Sequence, residues 1–237
     1  MSLPKALAFD IFGTVVDWHS SISRETRSFL SEYLPDIPPS DFALQWRELY
    51  QPAMRECVGT QRGFVSLDTL HHETLLKLLE AHRVDVSLID PDILSALAHA
   101  WRRLDPWPDV VPGMNQLRQR FPLVTLSNAN VELMVALNRY GGLQWDAILG
   151  AEFARTYKPD PVAYVSTAQA LGLEPRQLCL VAGHHSDLAG ARASGLMTAY
   201  IDRPMEYGGA PAPDQSYAQR WDWQADSLTD LASQLLN

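Results

Sequence analysis

The stretch ALAFDIFGT at residues 6–14 decides the fold of this chain. Its first four residues are apolar, and they are followed by Asp10 and by a turn at Gly13-Thr14. A short apolar run that ends in an acid predicts a buried parallel strand, and the carboxyl end of such a strand is a common place for functional side chains.

Further along the chain, predicted strands alternate with predicted helices. Strands are expected at residues 123–126, 147–149, 178–181 and 197–201, and helices at residues 131–140, 161–171, 187–193 and 227–236. Strands separated by helices imply a parallel sheet with crossover connections. The expected fold class is therefore α/β, with a Rossmann-like parallel sheet as its core.

A helical block interrupts this plan after the first strand. Apolar residues recur at three- and four-residue spacing in four segments, at residues 21–33, 40–56, 66–81 and 91–104. This spacing is typical of amphipathic helices. We predict a core made of residues 1–16 and 105–237, with an inserted helical cap made of residues 17–104.

Composition excludes several classes of protein. The 237 residues are 46% hydrophobic and 20% charged, and 19 basic against 28 acidic residues give a net charge of −9. Such a chain lacks the basic footprint needed to bind nucleic acid or an anionic membrane without sequence preference. It contains no apolar run long enough to span a bilayer and no signal-peptide pattern. Cys57 and Cys179 are far apart in the sequence, which argues against a disulfide framework or a zinc site and favours the cytoplasm.

The predicted strand ends carry polar residues from four separate segments. Asp10 and Thr14 follow the first strand, and Ser127 and Asn128 follow the strand at residues 123–126. Lys158 precedes the helix at residues 161–171, and residues 183–187 (GHHSD) follow another strand. Because active sites of open parallel sheets lie outside the carboxyl ends of the strands, we expect these groups to converge. The loop at residues 208–213 is predicted only to be flexible.

These segments resemble the ordered motifs of the haloacid dehalogenase superfamily. The matching stretches are DIFGT at residues 10–14, SN at residues 127–128, YKPD at residues 157–160 and GHHSD at residues 183–187. Residues 16–20 (VDWHS), Trp46-Arg47 and Tyr164 extend the resemblance to type II L-2-haloacid dehalogenases. The resemblance implies a hydrolase with an aspartate nucleophile.

Two positions disfavour a phosphatase within that superfamily. Phosphatase members carry a second aspartate two residues after the nucleophile, where this chain has Phe12. A departing halide needs no proton, so that acid is dispensable in a dehalogenase. Where an aspartate commonly helps to hold magnesium, this chain has His184, a poor magnesium ligand.

The resemblance implies roles for four residues in the first chemical step. Asp10 would attack the α-carbon of a 2-halo acid and form an aspartyl ester. Lys158 would keep Asp10 ionised, since a nearby opposite charge favours the carboxylate. Thr14 and Ser127 would donate hydrogen bonds to Asp10 or to the substrate carboxylate. Each of these residue types also has an ordinary structural use, as a helix cap or a solvated surface charge.

The resemblance also implies a second group of residues that binds the substrate and the halide. The backbone amides of Ile11 and Phe12 would hold the substrate carboxylate. Arg47 would enter from the cap and bind the departing halide together with Asn128, because a planar guanidinium suits a diffuse anion. Tyr164 would supply part of a dry wall.

The last motif departs from the type II pattern. Ala182 and His184 stand where a serine and an asparagine are usual. Asp187 would orient Lys158 or activate water for ester hydrolysis. His184 would take over water activation, since its ordinary pKa lies near neutrality. The alternative is a histidine that only hydrogen-bonds Asp187 or Lys158.

The leading hypothesis is a hydrolytic L-2-haloacid dehalogenase that needs no cofactor and no metal. Its partner would be a small 2-halocarboxylate, and it would form a homodimer, as the resembling enzymes often do. The alternatives are a hydrolase of the same fold that acts on another small carboxylate, a divergent phosphatase, and a catalytically silent binding protein that kept the fold.

Overall fold

A computed structural model describes residues 3–60 and 62–237. The strands are β1 (Ala6–Phe9), β2 (Val16–Asp17), β3 (Asp105–Pro106), β4 (Leu123–Thr125), β5 (Leu178–Ala182), β6 (Met197–Ile201) and β7 (Trp223–Ala225). The helices are α1 (Trp18–Tyr33), α2 (Pro39–Glu48), α3 (Tyr50–Gly59), α4 (Leu67–Ala81), α5 (Pro91–Ala98), α6 (Val110–Leu117), α7 (Val131–Gly141), α8 (Ala151–Ala154), α9 (Pro161–Ala170), α10 (His185–Ala193) and α11 (Leu228–Leu236).

Five strands form one parallel sheet in the order β4-β1-β5-β6-β7, which confirms the expected α/β class. Strand β1 lies between β4 and β5, with Leu7 paired to Leu123 on one side and to Cys179 on the other. Both β1 and β5 are buried along their whole length. The carboxyl ends of β4, β1, β5 and β6 therefore lie side by side at one edge.

The prediction of a strand at residues 147–149 is wrong. This segment makes only isolated bridges, such as that between Val124 and Ala147. The hydroxyl of Thr125 donates to the carbonyl of Leu149 and accepts from its amide, at 2.8 and 2.9 Å. A side chain thus satisfies the backbone groups that would otherwise extend a strand.

The helical insert after the first strand is confirmed. Helices α1–α5, which we call the cap helices, lie between β2 and β3, and these two short strands pair with each other in antiparallel fashion. The single helix expected at residues 40–56 is two helices that meet at Leu49. Pro52 explains the break, because its ring would clash with the carbonyl of Glu48 and it has no N–H to donate.

Large aromatic residues of the helical insert pack against one another and against Phe12 in the turn after β1. Trp18, Trp46 and Trp101 are fully buried, and the rings of Trp18 and Trp101 stack with their centres 6.2 Å apart.

No helix in the described ranges is both long and apolar enough to cross a membrane.

Candidate active site

Asp10 follows β1 and lies at the centre of a bonded cluster. It is only 7% exposed. The hydroxyl of Thr14 donates to Asp10 Oδ2 at 2.7 Å and accepts from the amide of Gly183 at 2.8 Å. Thr14 therefore ties the turn after β1 to the segment after β5 and fixes the orientation of the Asp10 carboxylate.

Lys158 connects Asp10 to a second acid. Its ammonium donates to Asp10 Oδ1 at 2.9 Å and to Asp187 Oδ2. Asp187 lies in the first turn of α10, and its other oxygen accepts from the hydroxyl of Tyr164 at 2.8 Å. Tyr164 is fully buried on α9.

The charges in this cluster set the pKa directions. Burial raises the pKa of Asp10, but the Lys158 ammonium and the His184 ring outweigh burial and hold that pKa well below its usual range. Burial lowers the pKa of Lys158, but Asp10 and Asp187 outweigh it and raise that pKa. Burial and the Asp10 charge raise the pKa of Asp187 against the opposing effect of Lys158. Asp10 is therefore ionised at neutral pH, and Lys158 is positively charged.

His184 lies between two carboxylates. Its Nδ1 is 3.1 Å from Asp10 Oδ2, and its Nε2 is 2.9 Å from Glu206 Oε1. Glu206 is 2% exposed and also accepts from the indole N–H of Trp18 at 2.9 Å. Burial lowers the pKa of His184, but Glu206 and Asp10 outweigh it and raise the pKa well above its ordinary value.

Arg47, on α2, reaches the site from the cap helices. Its guanidinium carbon lies 4.3 Å from the ring centre of Tyr50 and 5.4 Å from that of Trp18. Within the described ranges, its Nη1 is buried with no hydrogen-bond partner, and no carboxylate pairs with the side chain. A desolvated cation between aromatic faces, with a donor unused, is suited to receive an anion.

The remaining predicted binding residues lie at the ends of β1 and β4. The carbonyl oxygen of the Asn128 side chain accepts from the Lys158 amide at 2.8 Å. The hydroxyl of Ser127 accepts from the amide of Ala129 at 3.2 Å, so its own hydrogen is left for another acceptor. In the part of the chain that the structure describes, the backbone amides of Ile11 and Phe12 have no internal acceptor.

A cavity of about 830 Å³ opens between the sheet edge and the cap helices. It is lined from the core by Asp10, Phe12, Asn128, Lys158, Tyr164, His184 and Asp187, from the cap helices by Leu44, Arg47 and Tyr50, and from the loop after β6 by Tyr207 and Tyr217. A candidate nucleophile and an unpartnered cation thus share one cavity.

The structure joins Asp10, Thr14, Lys158, His184 and Asp187 in one hydrogen-bonded cluster. Arg47, Asn128, Phe12 and Tyr164 line the same cavity. Of the two acceptors expected for Ser127, Asp10 is not bonded among the described contacts, and the Ser127 hydroxyl hydrogen is left for the substrate carboxylate. The alternative partners expected for His184, Asp187 and Lys158, are wrong, because its ring bonds Asp10 and Glu206.

Glu206 was missed by reasoning from the sequence. It follows a strand that was expected at residues 197–201, and its place near that strand end was the available signal. Tyr50, an aromatic wall of the cavity, comes three residues after Arg47 on a neighbouring helix.

The sequence profile of the haloacid dehalogenase-like hydrolases matches residues 4–195. The chain belongs to this family.

Comparison with individual solved structures and relatives indicates the branch of the family to which the chain belongs. A defluorinating L-2-haloacid dehalogenase is 40% identical with a TM-score of 0.94, covering 99% of this chain and 96% of that one. A second L-2-haloacid dehalogenase is 38% identical with a TM-score of 0.91, covering 98% and 99%. (S)-2-haloacid dehalogenase 4A of Burkholderia cepacia is 28% identical, covering 96% of this chain and 98% of the relative. These similarities place the chain in the L-2-haloacid dehalogenase branch of the family.

Proposed function

We propose that this chain is a hydrolytic L-2-haloacid dehalogenase that converts a short 2-haloalkanoic acid into a 2-hydroxy acid through an ester on Asp10. One observation carries the proposal: the ionised, buried carboxylate of Asp10 faces the same cavity as the guanidinium of Arg47, which has no hydrogen-bond partner among the residues that the structure describes. A nucleophile for carbon and a binding group for the departing halide are the two components that the displacement requires.

In the first step, an Asp10 oxygen attacks the α-carbon in line with the carbon–halogen bond. Lys158 and Thr14 hold the carboxylate, and the lysine keeps it ionised. The unused amides of Ile11 and Phe12, with the hydroxyl of Ser127, are suited to hold the substrate carboxylate. No acid is needed for the leaving group, which is consistent with Phe12 lining the cavity where a phosphatase has an aspartate.

The departing halide would pass to Arg47. Tyr50 and Trp18 shield the guanidinium from water, and Asn128 lines the same cavity. A weakly hydrated, delocalised cation matches a large diffuse anion. Tyr164, fully buried against Asp187, contributes a dry wall.

In the second step, water attacks the ester carbonyl carbon of Asp10. His184 is 3.1 Å from Asp10 and is the candidate base that takes a proton from this water. Asp187 orients Lys158 through a direct ion pair. The bond between this carbon and the bridging ester oxygen, which came from Asp10, then breaks and releases the hydroxy acid.

The organisation of the whole protein forms part of this proposal. Residues 1–16 and 105–237 would act as the catalytic core, and residues 17–104 as a cap that supplies the halide-binding side. Two buried free thiols, Cys57 and Cys179, fit a cytoplasmic protein. A homodimer is proposed as well, and sedimentation at micromolar concentration tests it.

Halide release tests the function. The purified protein is incubated with L-2-chloropropionate in the presence of EDTA, and chloride is measured over time. We expect release that is lost in Asp10→Asn and kept in Asp36→Asn, because Asp36 is exposed in the cap and outside the site. Absence of halide release from chloro-, bromo- and fluoro-substituted 2-haloacids would refute the proposal.

A further inference from the structure

We infer that Glu206 is a positioning residue that holds His184 in place as the base for hydrolysis of the Asp10 ester. The inference rests on the proposed function and concerns its second step only.

The contacts of Glu206 fix the ring of His184. One carboxylate oxygen, Oε1, accepts from His184 Nε2 and from Trp18 Nε1, both at 2.9 Å. Because Nε2 is bonded to Glu206, the other ring nitrogen, Nδ1, is directed at Asp10 Oδ2, 3.1 Å away. The ring therefore lies between the two acids, with its reactive edge toward the position that the ester carbonyl would occupy.

The burial of Glu206 is difficult to explain by stability alone. A carboxylate that is 2% exposed loses most of its hydration, and such loss is costly unless a strong partner compensates. Among residues 3–60 and 62–237, the partner that can carry an opposite charge within ion-pair distance is His184. Groups whose pKa is strongly shifted by burial and a charged partner, as that of His184 is, cluster at functional sites.

The chain also makes room for this acid. Gly13 has a φ of +88°, and a Cβ built there would lie 2.1 Å from Glu206 Oε1. Only glycine allows the carboxylate to lie against the turn that carries Asp10 and Thr14. The nucleophile turn and the acid behind His184 are thus packed directly against each other.

Proton transfers in the ester state depend on Glu206. The charged and titratable groups that face His184 are Asp10, Glu206, Tyr207 and, through Asp10, Lys158. Formation of the ester removes the negative charge of Asp10, so Glu206 is the remaining acid bonded to the ring. His184 loses its Nδ1 proton to solvent as the halide leaves, while Nε2–H stays bonded to Glu206.

Every bond and proton of the hydrolysis step can then be followed. Water gives a proton to Nδ1 of His184 as its oxygen bonds to the Asp10 carbonyl carbon. The bond from that carbon to the bridging ester oxygen, which came from Asp10, breaks, and the proton on Nδ1 passes to this oxygen to give the hydroxy acid. The new carboxylic acid of Asp10 returns its proton to Nδ1, which restores the ion pair of the resting site.

Glu206→Gln tests the inference, because the amide keeps an acceptor oxygen but loses the charge. L-2-chloropropionate is mixed with the enzyme, the reaction is quenched at intervals, and chloride and the intact mass of the protein are measured. We expect an unchanged chloride burst, ester hydrolysis slowed about 10- to 100-fold, and accumulation of alkylated Asp10. The rise of kcat with pH should move to lower pH, because His184 loses the negative charge that raises its pKa.

Three further variants separate positioning from folding. Glu206→Asp should recover part of the hydrolysis rate, since the charge returns. Glu206→Gln should add nothing to His184→Ala, because its effect passes through that ring. Glu132→Gln, in which an exposed acid on α7 loses its charge, should behave as wild type.

Two outcomes would overturn the inference while leaving the function in place. One is a wild-type rate of ester hydrolysis in Glu206→Gln with its pH profile unmoved. The other is a slowed chloride burst with no accumulated ester, which would assign Glu206 to the first step. Absence of chloride release in the wild-type enzyme would instead refute the proposed function itself.

Discussion

Gly13 lies against Glu206 so closely that a Cβ at position 13 would be 2.1 Å from Oε1 and 2.3 Å from the carboxyl carbon of Glu206. The two residues come from distant parts of the sequence, one from the turn after β1 and one from the loop after β6. Their contact brings the backbone of the nucleophile turn and the acid behind His184 into one packed unit.

Gly13→Ala should therefore slow hydrolysis of the Asp10 ester, although position 13 does not touch the reacting atoms. The new methyl group would push the Glu206 carboxylate away from Trp18 and His184, and the positive φ would add about 1–2 kcal/mol of strain. We expect a lower melting temperature and accumulation of alkylated Asp10, as in Glu206→Gln.

Gly142→Ala is the matched control for that substitution. Gly142 has a φ of +64° at the end of α7, and a Cβ there would meet nothing within 4 Å. This variant should show the backbone strain without the change in ester hydrolysis. Equal kinetics in the two alanine variants would contradict a specific effect on Glu206.

Lys158→Met should reveal how two buried acids depend on one cation. Asp10 and Asp187 both bond Lys158, and all three side chains are at most 10% exposed. Removing the cation leaves Asp187 with no opposite charge and Asp10 with His184 as its remaining cationic partner, so we expect a loss of about 3–5 kcal/mol in the free energy of unfolding at pH 7. Urea denaturation measures this loss, and halide release should fall with it.

Lys77→Met provides the comparison for an exposed pair. Lys77 and Glu56 are 3.6 Å apart, and both side chains are more than half exposed. Solvent screening limits such a pair to about 0–1 kcal/mol. A similar loss in both methionine variants would show that the buried network contributes nothing of its own.

Much of the core site could be predicted from the sequence because its residues lie beside strands. Asp10 and Asn128 each follow a run of apolar residues, and parallel strands bring such positions to one edge. Phe12 could be used to disfavour a phosphatase without knowledge of the fold, because its position two residues after the nucleophile is given by the sequence itself.

Glu206 could not be predicted in the same way. Its segment has no periodic pattern, and its burial depends on Gly13 and Trp18, which are far away in the sequence. The alternative for His184, a bond to Asp187 or Lys158, is wrong because Asp187 is bonded to Lys158 and Tyr164 instead. The break at Leu49 was missed for a simpler reason: the apolar spacing continues across Pro52.

The raised pKa of His184 predicts how stability depends on pH. A group whose pKa is higher in the folded state stabilises fully below its unfolded value, about 6.5, and loses this effect as pH rises through the folded value. The wild type should lose up to about 1.4 kcal/mol per pH unit above pH 6.5 relative to His184→Gln. Urea denaturation from pH 6 to pH 9 measures the difference, and parallel curves would refute it.

His71 should show the opposite dependence. Burial lowers its pKa to about 3, and both ring nitrogens lack partners among the described residues. Such a group destabilises the fold as pH falls below about 6.5, because the folded state resists its protonation. His71→Phe should therefore gain stability relative to wild type between pH 6 and pH 4. Loss of stability in that range would contradict the assigned neutral form.

The route of oxygen distinguishes the covalent mechanism from direct attack by water. A single in-line displacement by Asp10 inverts the α-carbon, so an L-2-halo acid should give a D-2-hydroxy acid. Hydrolysis must then occur at the carboxyl carbon of Asp10, because a second attack at the α-carbon would restore the original configuration. The product hydroxyl oxygen therefore comes from Asp10, and water refills the carboxylate.

A single turnover in oxygen-18 water, with enzyme in excess, tests this route. Mass spectrometry of the peptide that contains Asp10 should show the label there, while the hydroxy acid stays unlabelled. Asp36, which is exposed in the cap, should take up no label and serves as the internal control. Label found directly in the hydroxy acid would mean that water attacks the substrate and that Asp10 acts only as a base, and the ester on Asp10 would have to be abandoned.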